Sequence, residues 1–383
     1  MALSLRPARG TNVTPVSQSI AAILSRTPDL FDREIGVARH AAAAIDERLR
    51  AAPVGLSAAL DRGFRDRELH RRLGLNFISL HPAQLARLDA LGPLRATALA
   101  IASLVRSGHV REAAVRGLCE HDDPVVLAFL LNRLNDYVGG IARIAWAGLE
   151  LRLRPSHAAL FVRCLPLLDR MNLWVRADVA RREQLHEFLL RPDCRRALWD
   201  GLRDRDSEVC RHSAALLLRV HRGRLELQEV LAAALSARDP RTRRWAAKVA
   251  IDERCTPRAV LLALTPRLAL DRAPAIRAVA LEAHALQRDR EGIARATFDT
   301  HASVRYRARA VLADRFEPLD YRGIALATRS TAEPARQALI AALATLSDFG
   351  RAEDIPLVAA YGEDPRPTVA REALRTLAGL RRI

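Results

Sequence analysis

The sequence predicts an all-α fold in which helical hairpins repeat along the chain, and three observations lead to this prediction. Half of the 383 residues are hydrophobic but only 4% are aromatic, and the apolar residues are mainly Ala and Leu, which are the least costly residues in a helix. Arginines followed by small or apolar residues recur at intervals near 33 residues. Acidic residues or prolines precede many of these stretches, as expected at helix starts.

The repeat is clearest around the turn Asp239-Pro240. Arg211, Arg244 and Arg277 are successive anchors, each 33 residues from the next. Residues three and six positions after an anchor are apolar or small in almost every case, so they form one stripe on a helix. A second apolar stretch between anchors supplies the other helix of each hairpin. The predicted anchors are Arg39, Arg71, Arg111, Arg143, Arg176, Arg211, Arg244, Arg277, Arg305, Arg336 and Arg371.

Acidic residues mark the predicted helix starts, because they fall five or six residues before an anchor, where an N-cap belongs. These predicted N-caps are Asp66, Asp206, Asp239, Asp271 and Asp299. The anchor interval lengthens between Arg71 and Arg111, where Pro82, Gly92 and Pro93 interrupt the pattern. We therefore expect an extra helix or a bend within residues 76–110.

The anchored helices share an acidic residue followed by Val-Arg and Ala, as in Asp206-Ser207-Glu208-Val209-Cys210-Arg211, Ile276-Arg277 and Val304-Arg305. This motif resembles that of the HEAT-repeat superfamily, and more narrowly its short bacterial branch named after phycobilisome lyases. The resemblance covers roughly residues 30–380. It implies that the acid and the arginine pair between adjacent turns, which is a structural role for most anchors.

The predicted fold is an all-α, right-handed α-solenoid of about eleven HEAT-like helical hairpins, in which each hairpin buries its apolar stripe against its neighbours. The predicted domain organisation is a flexible N-terminal tail over residues 1–17 and the solenoid over residues 18–383. Such arrays offer an extended surface on which another macromolecule can bind.

The charge is strongly positive, with 61 basic against 44 acidic residues and a formal net charge of +17. Lys248 is the only lysine. A GC-rich genome would explain the preference for arginine over lysine, but it would not explain the excess of positive charge. That excess favours an anionic partner such as nucleic acid, an acidic protein face or a membrane surface.

The cysteines and the N-terminus give no sign of secretion or of a metal site. Five scattered cysteines without C-x-x-C spacing predict free thiols in a reducing compartment. No apolar run reaches the ~18 residues of a membrane span, and the first residues lack the apolar core of a signal peptide. We expect a cytoplasmic protein without a cofactor or a bound metal.

Catalytic motifs are absent, so whether the chain is an enzyme stays open, with a non-enzymatic role favoured. One candidate is Trp174 with Asp178, which a continuous helix would place one turn apart on one face. This pair resembles the site of HEAT-like alkylpurine DNA glycosylases. The resemblance implies that the carboxylate would stabilise a developing glycosidic cation and that the aromatic ring would hold the damaged nucleotide. The alternative is that Asp178 is an ordinary surface carboxylate.

A binding surface is predicted near the centre of the chain, where residues 191–258 hold 16 basic and 10 acidic residues. The positions that follow the anchors would bring His212, Trp245 and Tyr306 near one another, and their mixed character argues against a continuous phosphate-binding track. The predicted binding residues are His212, Trp245, Tyr306, Arg241, Arg243 and Arg181.

The sequence thus favours a scaffold or adaptor that binds an acidic protein surface or nucleic acid through residues 140–260. A DNA repair protein of the glycosylase type is the first alternative. A chromophore lyase or its chaperone is the second, and no residue supports it.

Overall fold

Helices are the only regular elements in the part of the chain that the computed structural model describes, which is residues 15–74, 79–171, 178–329 and 335–381. The predicted all-α class of a helical-repeat protein is therefore confirmed. The chain divides into two compact units, Met1–Val220 and His221–Ile383, called here unit 1 and unit 2.

Unit 1 consists of short helices that pack on their neighbours in the chain. They are α1 (Pro15–Leu30), α2 (Ile35–Ala51), α3 (Gly55–Gly63), α4 (Arg67–Arg72), α5 (Arg95–Ala102), α6 (Gly108–Cys119), α7 (Pro124–Arg133), α8 (Gly139–Glu150), α9 (Ala158–Arg163), α10 (Leu165–Arg170), α11 (Val179–Leu190), α12 (Arg195–Gly201) and α13 (Ser207–His221), which ends at the boundary. Two 3-10 helices lie at Pro82–Leu94 and Pro155–His157.

Unit 2 is a regular series of hairpins. Its helices are α14 (Leu227–Leu235), α15 (Pro240–Ala250), α16 (Arg258–Ala269), α17 (Pro274–Gln287), α18 (Arg290–Ala296), α19 (Ala302–Arg315), α20 (Tyr321–Arg329), α21 (Arg336–Phe349), α22 (Ile355–Ala359) and α23 (Pro367–Leu380), with a 3-10 helix at Ala352–Asp354. Helix α14 packs on α15, α16 on α17, α18 on α19, α20 on α21 and α22 on α23. In each hairpin the second helix carries the predicted anchor arginine. Helix α17 contacts both α15 and α19.

The segment 76–110 contains a 3-10 helix in its described part. His81 is the N-cap of this helix. Its imidazole accepts a hydrogen bond from the Ala83 N–H (3.3 Å), and its backbone N–H donates to the side-chain oxygen of Gln84 (2.7 Å). Gly92 has a φ of +58°, which a glycine adopts at little cost, and Pro93 follows it. The chain then turns into α5. Helix α1 begins at Pro15, inside the predicted tail, and residues 1–14 lie outside the described residues.

A single arginine in α17 connects its own helix to the loop before it and to the loop before α19. Arg277 donates from Nη1 to the carbonyls of Asp271 (2.9 Å) and Arg272 (3.2 Å), in the loop before its own helix. Its Nε and Nη2 donate to the two carboxylate oxygens of Asp299 (2.6 and 2.7 Å), in the loop before the next helix of the same kind, α19. The bidentate pair is the strongest geometry available to these two side chains.

The same arrangement recurs at the fourth residue of three other helices, and we call the set the arginine ladder. Arg111 bonds Asp136, Arg243 bonds Asp271 and Arg305 bonds Asp348, and each arginine also donates to the carbonyls five and six residues before it. The structural role that the resemblance implied is present at these positions. Asp271 and Asp299 are therefore ladder acceptors three residues before their helices, and the prediction that they are N-caps is wrong.

The ladder also corrects the repeat register, because the predicted anchor is the fourth residue of its helix only at Arg111, Arg277 and Arg305 among the described residues. It is the fifth residue at Arg39, Arg71, Arg143, Arg211, Arg244 and Arg371 and the first at Arg336, while Arg176 lies outside the described residues. In α15 the ladder arginine is Arg243, and the predicted anchor Arg244 lies outside on the surface. In α13 the fourth residue is Cys210, whose thiol donates to the Leu202 carbonyl (3.1 Å), while the predicted anchor Arg211 pairs with Glu208. Only the fourth position of the helix points into the loop between hairpins.

The ladder charges are buried and fully engaged. Arg111 and Arg243 are 2% and 4% exposed, so an unpaired charge at either place would be very costly. Burial alone would raise the pKa of Asp136, but the hydrogen bonds from Arg111 and from the Val138 N–H outweigh it and bring that pKa below its usual value. The ladder is therefore a set of compensated charges that links one hairpin to the next.

Replacing Arg277 by Ala is expected to destabilise unit 2 by about 3 kcal/mol, because Asp299 keeps a nearly buried charge without its partner. The measurement is the urea-unfolding transition followed by circular dichroism. Arg295→Ala is the control, because Arg295 forms only an exposed pair with Glu291 (3.6 Å) and should cost less than about 0.5 kcal/mol. Equal transitions for the two variants would contradict the role of the ladder.

Asp364, before α23, gives a prediction about pH. Hydrogen bonds from the Arg366 side chain lower the pKa of Asp364 to about 2. A carboxyl whose pKa is lower in the folded state stabilises the fold above its unfolded pKa of about 3.9, and this contribution is lost as the pH falls towards 2. Asp364→Asn should therefore lower the urea midpoint at pH 6, and the difference from the wild type should vanish near pH 2. A difference that stays constant over this range would refute the assignment.

Candidate functional site

Helix α15 carries the most distinctive surface of the central region, and its local sequence explains how it is held. Asp239 is the N-cap and accepts the Thr242 N–H (2.9 Å), and Pro240 occupies the first turn. The helix packs against α14 and α17. The buried positions are Thr242, Arg243, Ala246, Ala247 and Ala250.

The opposite side of α15 presents three cations. Arg241, Arg244 and Lys248 are exposed and lie three and four residues apart, which places them on one face over about 10 Å of helix. None of the three forms an ion pair with any described residue. Asp239 is already used by the helix: burial would raise its pKa, but the N–H groups of Thr242 and Arg241 lower it.

The cationic surface does not continue onto the neighbouring helix. The positions of α17 that correspond to Arg241, Arg244 and Lys248 are Ala275, Ala278 and Glu282. Glu282 forms an ion pair with Arg307 of α19. The row of cations on α15 is therefore not repeated on α17.

Trp245 is half-buried beside these cations. The prediction that it lies in one row with Tyr306 is wrong, because the register shift makes Arg244 the residue that corresponds to Tyr306. The residue of α17 that corresponds to Trp245 is the buried Val279. Trp245 is thus only partly accessible at the surface.

Tyr306 is exposed, but its hydroxyl belongs to the end of the ladder. It donates to Asp348 (2.8 Å), and this hydrogen bond together with burial raises the pKa of Tyr306. Asp348 also accepts hydrogen bonds from Arg305 and Arg309. Tyr306 therefore has a structural partner and offers mainly its ring to solvent.

His212 lies in unit 1, unlike Trp245 and Tyr306. Its side chain is only 11% exposed, and its Nδ1 lies 3.6 Å from Asp169. Burial lowers the pKa of His212, and the neighbouring Arg211 lowers it further. At neutral pH His212 is therefore a neutral, largely covered side chain.

The two remaining arginines of the predicted surface have partners within the chain. Arg243 is part of the ladder, and both its carboxylate and its carbonyl partners are internal, so it cannot serve as a contact residue. Arg181 is partly exposed, its guanidinium lies 5.4 Å from the ring centre of Trp146, and its Nε is 3.8 Å from Asp178. Cation–π contact explains the position of Arg181 without a ligand.

Asp178 is the N-cap of α11, where it accepts the Ala180 N–H (2.9 Å). Its backbone is extended, and the helix begins only at Val179, so the prediction of a continuous helix from Trp174 to Asp178 is wrong at Asp178. Trp174 lies outside the described residues. Asp is favoured at such a position because its side chain can accept a hydrogen bond from a backbone N–H at the start of the helix.

The capping role of Asp178 can be tested with two substitutions. Asp178→Ala removes the acceptor and should destabilise the protein by about 1 kcal/mol, whereas Asp178→Asn keeps an acceptor of similar strength and should change stability by only a few tenths. Urea unfolding measures both changes. Equal destabilisation by Asn and Ala would show that the Asp178 carboxylate does more than cap the helix.

Sites for other chemistry are lacking among the described residues. No group of three or more His, Cys, Asp or Glu side chains there could hold a metal ion. Burial raises the pKa of all five cysteine thiols, which disfavours the nucleophilic thiolate. None of the described helices is long and apolar enough to cross a lipid bilayer.

No protein-family model matches the chain, and no curated protein matches it either. Among solved structures, the chain is similar to an engineered protein with 14% identity and a TM-score of 0.31, over 96% of this chain and 92% of that one. It is also similar to Kap121p bound to Nup53p, with 16% identity and a TM-score of 0.30. A third match is the karyopherin Kap121p bound to the extreme C-terminus of the protein phosphatase Cdc14p, with 15% identity and a TM-score of 0.30.

The two Kap121p matches each cover 96% of this chain and 46% of that one, so the chain spans just under half of the length of Kap121p. At such low TM-scores these similarities support no conclusion about a partner or an activity.

The structure thus changes the set of candidate residues. Arg241 stays on the exposed surface, and Arg244 and Lys248, which the sequence reasoning did not select, join it. Their spacing along α15 is visible in the sequence, but a repeat register that is one residue late assigns Arg244 to the ladder.

Proposed function

We propose that the chain is a non-enzymatic HEAT-like repeat scaffold that binds an acidic segment of a partner protein. The contact surface is the α15 face, defined as Arg241, Arg244, Lys248 and the partly exposed Trp245. The observation that supports the proposal is the presence of three exposed cations on one helix face without an acidic partner among the described residues. Ladder arginines such as Arg243 are paired with groups inside the protein, whereas these three are available to a ligand.

The composition of the α15 face favours a protein partner that carries carboxylates. Arginine and tryptophan are enriched in the residues that dominate binding energy at protein interfaces. Arginine also pairs with carboxylates in a bidentate geometry, and complementary charge accelerates association and selects the partner. A short acidic segment laid across about 10 Å of helix could reach all three cations.

The limited extent of the α15 face argues against nucleic acid as the main partner. A protein that tracks a phosphate backbone presents basic side chains at many successive positions. Here the corresponding positions of α17 are Ala275, Ala278 and Glu282. Three cations provide a small electrostatic footprint, which suits a short acidic segment.

The proposal is tested with a fluorescein-labelled oligo-glutamate peptide and fluorescence anisotropy at low salt. The variant Arg241→Glu/Arg244→Glu/Lys248→Glu should weaken binding at least about tenfold, because three attractive charges become repulsive. Arg244→Glu alone should weaken binding severalfold. The matched control is Arg258→Glu on α16, an exposed arginine of the same unit that is not part of the α15 face, which should change the affinity less than about twofold.

Equal losses for Arg244→Glu and Arg258→Glu would show that only net charge matters and would refute the α15 face. A labelled DNA duplex is the second ligand. If the duplex binds more tightly than the peptide and the triple variant abolishes that binding, the partner is nucleic acid and the present proposal is wrong.

The natural partner is sought by affinity purification from the native cell, with nuclease treatment and mass spectrometry. A partner with an acidic segment that is retained after nuclease treatment and lost with the triple variant supports the proposal. Retention of the same proteins by the triple variant argues against it. The glycosylase alternative has no support among the described residues, since Asp178 is engaged as a helix cap.

A further inference from the structure

A cavity of about 280 Å³ lies in unit 1, between the connection of α2 to α3 and the helices α7 and α9. Its volume is close to the lower end of the range for small-molecule pockets, about 300–1,000 Å³. The walls are mainly aliphatic and aromatic. They include Ala52, Val54 and Leu56 on one side and Val125, Ala128 and Phe129 on the other.

The polar groups that line this cavity are nearly all engaged. Arg50 is held by Asp46 and Asp123, each at 2.7 Å. The Ser57 hydroxyl donates to the Val54 carbonyl (2.8 Å). The Cys164 thiol stays neutral, since burial raises its pKa to about 12. These groups leave little for a polar ligand to bind inside the cavity.

Arg163 is the exception among the lining residues. It is the last residue of α9, it is exposed, and it forms no ion pair within the described part of the chain. A second arginine, Arg170, forms no ion pair with any residue that the structure describes. It lies close by at the end of α10, where its guanidinium would be 3.4 Å from a Cβ placed on Gly55. An apolar cavity therefore has unneutralised positive charge at its margin.

We propose that this cavity binds a small amphiphilic carboxylate, whose alkyl chain occupies the apolar space and whose carboxylate pairs with Arg163. The apolar walls favour a chain because its burial removes hydrocarbon surface from water. The guanidinium favours a carboxylate, because the two groups form an ion pair that can be bidentate, whereas an alcohol carries no charge and an ammonium group is repelled. The cavity lies wholly within unit 1, and the proposal does not depend on the α15 face.

The experiment is isothermal titration calorimetry of the full chain with sodium decanoate, below the concentration at which decanoate forms micelles. Decanol and decylammonium are the matched ligands with the same chain. Decanoate should bind with one site per chain, decanol at least about fivefold more weakly, and decylammonium still more weakly. No decanoate binding, or equal affinities for decanoate and decanol, would overturn the proposal.

Two variants separate the cavity from general binding to a basic protein. Arg163→Gln should weaken decanoate binding about tenfold and leave decanol binding nearly unchanged. Ala52→Phe places a ring into the cavity and should abolish binding of both ligands. The control is Arg154→Gln, which should bind decanoate like the wild type. Arg154 is another exposed arginine of unit 1 and has no ion pair in the described ranges of the chain.

Thermal unfolding of each variant without ligand establishes that it is folded. Decanoate binding that survives Ala52→Phe in a folded protein would place the ligand elsewhere and refute the assignment. Equal weakening by Arg154→Gln and Arg163→Gln would do the same, because it would reduce the effect to net charge.

Discussion

The bidentate pairing of a buried arginine with an aspartate of the next hairpin is the interaction on which the regular part of this structure depends. In unit 2 Arg243 and Arg277 form such two-oxygen pairs, whereas Arg305 contacts a single oxygen of Asp348 at 3.3 and 3.4 Å. Each of the three arginines also binds the carbonyls of its own N-terminal loop. A helical hairpin buries its apolar stripe only against its neighbours, so the contacts between adjacent hairpins hold the stack together. The ladder fixes one loop against the next and sets the register of the stack.

The ladder changes its acceptor at Asp348, which lies near the end of α21 rather than in a loop before a helix. Asp348 takes hydrogen bonds from Arg305, Arg309 and Tyr306. Arg309 is 8% exposed and also lies 4.6 Å from the ring centre of Phe349. Asp348 thus takes the place of the usual loop aspartate and accepts from three donors. Its hydrogen bond with Tyr306 explains why the hydroxyl of this exposed tyrosine is fixed.

The arginines that contribute to the net charge of +17 have two different roles, one inside the fold and one at the surface. Those at ladder positions are compensated and buried, and they say nothing about a partner. Arg241, Arg244 and Lys248 on α15, and Arg163 beside the cavity, are exposed without an acidic partner among the described residues. The positive charge of the chain therefore indicates a binding surface only where the arginines are not already paired inside the fold.

The sequence by itself determined the helical class and much of the helix capping, because these depend on local properties: a period near 33 residues, a composition rich in Ala and Leu, and caps such as Asp66 and Asp239. It could not decide between Arg243 and Arg244, because one residue turns a side chain by about 100° around the helix and only packing against the next hairpin selects one of them. The half-burial of Trp245 and the cavity beside Arg163 likewise arise where helices distant in sequence meet. The tertiary structure alone decided them, since burial is a property of the whole stack and not of one segment.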